Sequence, residues 1–302
     1  MPKRGFNKYE KIYIILVVAS LILSVVAGLT ILQRQEGTLA VSFIDVGQGD
    51  CELIEFPNGK SMLIDCGEKE CYEKMAMPYL QKEQIGKVNL ALVSHFHSDH
   101  AGGILRMAEL NAADRIAAPN TESGDDIRSQ ILKAAKDRNI DVLNIDSSKK
   151  LEVDSSVTVK VLAPNTYILN NLGSNVNNTS VVLKLSYGET DFLFTGDLEA
   201  DAEKVLLSSE NLAAEVLKVA HHGSKTSSSR EFLNAVKPKY AVIEVGEDNR
   251  YKHPSETTLK SLSEIGADVL RTDLNGNIKF TAEKSGISKV EVSKNAGSEE
   301  GF

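Results

Sequence analysis

From position 39 onward the chain is a succession of short apolar runs separated by glycine, proline, asparagine and aspartate. Runs 39–46 and 51–56 flank Gly47-Gln48-Gly49, and Pro57-Asn58-Gly59 precedes a third run at 61–65. Alternating polarity with Asn-Gly punctuation predicts a series of hairpins. Residues 70–85 follow a helical period interrupted at Pro78, and 88–93 is a continuous apolar run of strand length. Helices are expected at 104–110 and 125–138, the second with Ile127, Ile131, Leu132 and Ala135 on one face.

The second half has the same style but no repeat of the sequence. Segments 156–162 and 180–187 alternate as strands, 191–195 runs into Gly196-Asp197, and 199–210 reads as a helix. Two further apolar runs, 216–220 and 240–245, lead into His221-His222 and into the loop carrying His253. Ser255 opens a helix over 255–265 with a side chain suited to capping it. Asn275-Gly276 marks a final hairpin. Strands first, then strands alternating with helices, twice over, predict two β-sheets packed face to face with helices outside.

Residues 12–32 break this style as an uncharged apolar stretch, long enough for the roughly 20 residues a membrane-spanning helix needs. Lys3, Arg4, Lys8 and Lys11 precede it, so the positive-inside rule puts the N-terminus in the cytoplasm and the rest outside. The expected organisation is a basic cytoplasmic segment 1–11, a single-pass signal-anchor helix 12–32, a linker 33–38, one large domain 39–290 and a disordered tail 291–302. Cleavage near Val25-Val26-Ala27 is the competing reading and would make the protein secreted.

The net charge is −8, and the basic N-terminus leaves the remainder more acidic still. That excludes a broad basic surface of the kind that coats DNA, but not a site where metal ions supply the positive charge. Cys51, Cys66 and Cys71 give no disulfide framework. A Cys66–Cys71 pair would suit an exported domain; small buried hydrophobes are the plainer reading.

The chemistry lies in the histidines. All six fall in three short segments: His95, His97 and His100; His221 and His222; and His253. The first segment reads H-x-H-x-D-H through Asp99, four metal-capable side chains in six positions, and imidazole with carboxylate suits zinc and similar divalent ions. His95 and His97 lie two apart just past a strand and can face the same way. Asp99 and His100 then turn to an adjacent position, which favours two ions over one. Asp197, after Gly196, is the best carboxylate to bridge them. Two ions about 3.5–4 Å apart can hold a hydroxide and neutralise charge on a phosphoryl or acyl oxygen. His95, Asp197, His221 and His253 each follow a short apolar run, so strand ends would bring them to one rim.

H-x-H-x-D-H with a downstream Thr195-Gly196-Asp197 resembles the metallo-β-lactamase superfamily. More narrowly, Phe43-Ile-Asp-Val-Gly-Gln-Gly-Asp50, Leu63-Ile-Asp-Cys-Gly67, Asn178-Thr-Ser-Val-Val182, Lys218-Val-Ala-His-His-Gly-Ser224 and Asn249-Arg-Tyr-Lys-His-Pro254 resemble the extracytoplasmic domain of ComEC-type competence proteins. These pieces come in the family order over residues 39–284. The resemblance implies an α/β fold, an αββα four-layer sandwich, here preceded by one transmembrane helix. It implies two divalent ions, zinc or manganese: His95 and His97 on one, Asp99, His100 and His253 on the other, and Asp197 between them. His221 as a ligand with His253 outside the site is the alternative. Many superfamily members place another histidine before the bridging aspartate; here Asn178 stands roughly where it would fall, as a substitute ligand or substrate contact.

By the same resemblance His221 or His222 would protonate the leaving oxygen, alongside Asp99 in the catalytic set. Ser224 and Tyr251 would contact substrate, and Asp65 would orient a ligand imidazole from behind. Turn capping by Ser224 and loop packing by Tyr251 are the competing structural roles; Asp45 and Asp50 line the site or make turns. The expected function is a membrane-anchored, extracytoplasmic phosphodiesterase acting on DNA, with single-stranded DNA the candidate partner, by attack of a metal-bound hydroxide. A cell-surface phosphorylcholine or teichoic-acid phosphodiesterase, and a non-catalytic, metal-bearing accessory to DNA uptake, are the alternatives.

Overall fold

Along the central runs, such as 39–43, 61–64 and 90–92, every position is buried, the pattern of strands covered on both faces. A computed structural model describes residues 7–32, 37–121 and 126–294, apart from the side chains of 25–32 and 209. The chain divides into two units, Met1–Gly37 and Thr38–Phe302.

The first unit contains a helix, α1 (Lys8–Leu32). It corrects the expected anchor: among the described residues no helix is long and apolar enough to cross a membrane. The transmembrane part of the expected fold, the single-pass topology and the outward location inferred from it lose their basis.

The second unit holds two sheets. The first contains β1 (Leu39–Phe43), β2 (Glu52–Glu55), β3 (Ser61–Ile64), β4 (Leu90–Leu92), β5 (Arg115–Pro119) and β6 (Asp141–Ile145). The second contains β7 (Lys150–Leu151), β8 (Thr158–Ala163), β9 (Val182–Tyr187), β10 (Thr190–Phe194), β11 (Val216–Lys218), β12 (Tyr240–Ile243) and β13 (Asp268–Arg271). A C-terminal hairpin, β14 (Ile278–Glu283) and β15 (Gly286–Val292), returns to the first, giving the orders β15-β14-β1-β2-β3-β4-β5-β6 and β13-β12-β11-β10-β9-β8-β7.

Three apolar layers separate four structural ones. Between the sheets, Val41, Phe43, Ile54 and Leu92 meet Val161, Leu185, Phe192 and Phe194. Outside the first sheet, Leu53, Leu63 and Val93 pack on α2 (Met77–Lys82), α3 (Ser98–Glu109) and α4 (Ile127–Asp137). Beyond α5 (Thr166–Asn171), the second sheet is covered by α6 (Ala200–Ser209), α7 (Arg230–Val236) and α8 (Glu256–Glu264) through Leu206, Phe232 and Leu262. This is the αββα sandwich.

Two local expectations need correction, and the plainer reading of the cysteines holds. Helix α3 begins at Ser98 rather than 104, which puts Asp99 and His100 on its first turn. Asn275-Gly276 closes a short helix, with Gly276 at φ 62°, and the final hairpin turns between Glu283 and Gly286. The three cysteines are free and buried. β15 runs into the expected tail as far as Val292, and residues 295–302, like 33–36 of the linker, lie outside the described residues.

Candidate metal centre

Parallel pairing aims several strand ends the same way. β3 runs parallel to β4, β10 to β11 and β11 to β12. Asp65 follows β3, His95 follows β4, Asp197 follows β10 and the His221-His222 pair follows β11. Ligands commonly gather beyond the carboxyl ends of such strands. Two glycines let the surrounding loops close up. A Cβ on Gly49, itself at φ 138°, would lie 2.3 Å from the carbonyl oxygen of Asp99, and one on Gly103 would lie 2.1 Å from that of Cys66. Only glycine lets α3 sit this tightly against the Asp65 turn.

His95, His97 and Asp197 form one group whose ligand atoms lie within 4.8 Å of one another. His95 Nε2 is 3.0 Å from His97 Nδ1 and 3.9 Å from Asp197. The Ser94 hydroxyl donates its proton to Asp65, so at 3.0 Å from His95 Nδ1 it acts as acceptor. That fixes the imidazole with Nε2 free for an ion.

The second group surrounds His100 and His222. His100 Nδ1 donates to Asp65 at 2.8 Å, and its Nε2 faces Asp197 at 3.3 Å. His222 Nδ1 donates to the Glu244 carbonyl at 2.9 Å and lies 3.2 Å from Asp50; its Nε2 is 3.4 Å from Asp99 and 3.8 Å from Asp197. Each ring is thus held through one nitrogen, the arrangement that orients metal-binding imidazoles.

These residues fit a divalent ion. His100 Nε2, His222 Nε2 and Asp197 Oδ1 are buried without a hydrogen-bond partner, although they point toward one another. Such atoms are costly to bury unless something satisfies them. Burial opposes charge on His222, but Asp197 and Asp50 outweigh it and lift the imidazole to about 10. His100 is raised in the same sense, against burial, by Asp197, Asp50 and Asp99. The cluster therefore draws in positive charge, which a divalent ion supplies without protonating the ligands. His95 is the contrast: burial, then His100, keep it neutral.

The other sequence-derived site residues divide. His253 stands further out, its ring centroid 5.8 Å from that of His221, and it stacks on Tyr251. Both line a cavity of about 310 Å³ with Gln48, His97, Asp99 and Asp197. His221 faces this cavity too, Nε2 3.6 Å from Asp197 and Nδ1 3.4 Å from Glu199. Asn178 is buried, and its side-chain oxygen accepts from the Glu199 amide at 3.2 Å, so it supports the loop after Asp197. Ser224 is buried in a turn, its hydroxyl 3.1 Å from that of Thr226. Asp45 accepts from Gly47 and pairs with Lys294.

Sequence reading passed over the charges behind the centre. Lys218 is fully buried, its Nζ 2.6 Å from Asp50. Asp50, Glu52 and Glu244 form a buried acidic trio. Burial works against the Asp50 charge, yet Lys218 and then His100 outweigh it and hold the carboxyl down at about 2. A signal was present: Glu52, Lys218 and Glu244 each interrupt an otherwise apolar run. Glu199 also went unnoticed; it accepts from Asn175, Asn177 and Thr226 beside His221.

Fold and donor set together define a metal-dependent hydrolase of the αββα type. The chain matches the metallo-β-lactamase superfamily over residues 44–124 and 175–246 and belongs to that superfamily. It resembles ComE operon protein 3 of Bacillus subtilis, 30% identical over 257 residues, which are 80% of this chain and 32% of that protein. It is equally similar to competence protein ComA of Neisseria gonorrhoeae, 30% identical over 254 residues, 83% of this chain and 33% of that one. The chain thus spans about a third of the length of these relatives. The metallo-β-lactamase fold protein YhfI of Bacillus subtilis superposes with a TM-score of 0.54 at 12% identity, covering 80% of this chain and 99% of YhfI, a likeness of fold alone.

Proposed function

We infer that this chain is a phosphodiesterase with two divalent ions, acting on DNA. His95 and His97 would hold one ion, and Asp99, His100 and His222 the other, with Asp197 facing both sets. The reading rests on the three buried, partnerless atoms that converge there: His100 Nε2, His222 Nε2 and Asp197 Oδ1. Bound there, the ions would neutralise negative charge developing on a phosphoryl oxygen. DNA is favoured over phosphorylcholine esters because the similar curated proteins include competence proteins.

The adjacent histidines take different roles in this reading. His222 is buried and held by the Glu244 carbonyl and Asp50, which suits a ligand. His221 opens onto the cavity, and its Nδ1 lies beside Glu199 and the Thr226 hydroxyl. A ring so held can deliver a proton from Nε2 to the departing oxygen. His253 belongs to the cavity wall.

The test joins elemental analysis with an assay on single-stranded DNA and p-nitrophenyl phosphorylcholine, with manganese or zinc added. Cleavage of DNA alone, with metal content and turnover both lost in Asp99→Ala, is the expected result. Hydrolysis that survives metal stripping would refute the reading, and DNA binding without cutting would favour an accessory role.

A further inference from the structure

One side of the cavity mouth carries a group that hydrolysis as such does not need. Tyr251 is 50% exposed, and its ring lies nearly parallel to that of His253, 17° between planes and 5.8 Å between centroids. Arg250 donates to the Tyr251 hydroxyl at 2.5 Å, with its guanidinium 4.8 Å from the ring centre. Lys252 follows on the other side and is exposed. Among the described residues neither Arg250 nor Lys252 forms an ion pair with a carboxylate, so both cations are open to a phosphate.

The loop is built to hold this shape. The Asn249 amide donates to the Gly246 and His253 carbonyls, and its oxygen accepts from the His253 amide at 2.9 Å. Asp248 and Lys252 both sit at left-handed φ, 52° and 57°, which non-glycine residues rarely adopt. A strained, pinned loop that leaves a large ring half in water indicates binding more than packing.

We propose that Tyr251, backed by His253, is a shelf that takes the face of an unpaired base in place of the Arg250 guanidinium now lying over the ring, which then meets a flanking phosphate together with Lys252. This rests on the phosphodiesterase reading of the same site and names its substrate as single-stranded nucleic acid. Aromatic shelves with neighbouring cations are a general means of holding single strands, because every base has a face to stack. In a duplex both faces of an internal base are already covered, and the phosphorylcholine headgroup has no base to offer.

The chain has no tryptophan, so Tyr251→Trp installs a single reporter. Its emission is followed as the full chain is titrated with oligothymidylate, or with a strand of the same length in which every base is removed. Cleavage of both strands is followed in parallel. Quenching by oligothymidylate and not by the abasic strand is expected. Tyr251→Ala should raise KM for the normal strand about 5- to 150-fold, the range for one stacked base, with Tyr251→Phe near parent and the abasic KM unmoved. Equal quenching by both strands, or an unchanged KM in Tyr251→Ala, would overturn the shelf while DNA cleavage still stood. Base-dependent quenching without cleavage would sustain the shelf and remove the phosphodiesterase reading.

Discussion

Replacing Lys218 by methionine tests whether the charges behind the metal centre hold the fold together. The ammonium is fully buried, 2.6 Å from Asp50, and donates to the Val219 carbonyl at 3.1 Å. Methionine fills similar space and carries no charge. Asp50 would then share its pocket with Glu52 and Glu244 and have only the His100 and His222 imidazoles to balance it, at 3.6 and 3.2 Å. Breaking one partner of a buried pair costs roughly 3–5 kcal/mol, because the remaining charge stays out of water. Burial would drive Asp50 to take up a proton, and that relaxation is already contained in the measured range. For a domain of this size the loss corresponds to a fall in Tm of roughly 6–20 °C. Urea unfolding followed by circular dichroism, with chelator present in both samples, isolates the effect from metal binding. The double variant Lys218→Met/Asp50→Asn removes both charges and should recover more than half the loss. A single variant within about 1 kcal/mol of the parent, the range of an exposed pair, would show that Lys218 is not the counter-charge described.

Two further outcomes follow from the same geometry. Burial, and then Asp50, push the Glu244 carboxyl up to about 8 from an ordinary 4.5. Between those values the folded chain keeps a proton that the unfolded chain releases, so stability should fall as pH rises through that window, at about 1.4 kcal/mol per unit. Glu244→Gln should remove that slope; identical pH profiles for parent and variant would contradict the assignment. Asp65→Asn withdraws the charge that fixes His100 and, through Ser94, His95. Metal affinity should drop about 10- to 100-fold while the fold persists, as measured by competition with a chromophoric chelator; unchanged affinity would mean that the imidazoles do not need Asp65.

The sheets and the ligand cluster were legible in the sequence for different reasons. Run 88–93 shows itself because burial on two faces demands continuous apolar residues, and run 39–46 because alternation bounded by turn residues marks a strand. The histidine motif shows itself because the donor types are rare and crowded. Helix α3 was read too short because Gly102 and Gly103 look like breakers, and their purpose is visible only against residues far away in sequence. A Cβ on Gly102 would sit 2.5 Å from the Lys69 amide nitrogen, and one on Gly103 would meet Cys66. The apolar stretch at 12–32 was read from composition alone, and the described part of α1 does not carry that reading.

The ligand set shows where local reasoning stops. His221, His222 and His253 all follow apolar runs, and spacing alone ranks none of them above the others. The backbone separates the first two: His221 and His222 both adopt left-handed conformations, at φ/ψ of 52°/47° and 52°/26°. Two such residues in succession turn the chain sharply. One ring goes inward to Asp99 and Asp50, the other outward to Glu199 and the cavity. The turn is pinned at the His221 amide by Gly196, at Ser224 by His221, and at Ser255 by Gly223. Those hydrogen bonds join three loops, so the proposed division between ligand and proton donor would follow from how strands β10, β11 and β12 end side by side.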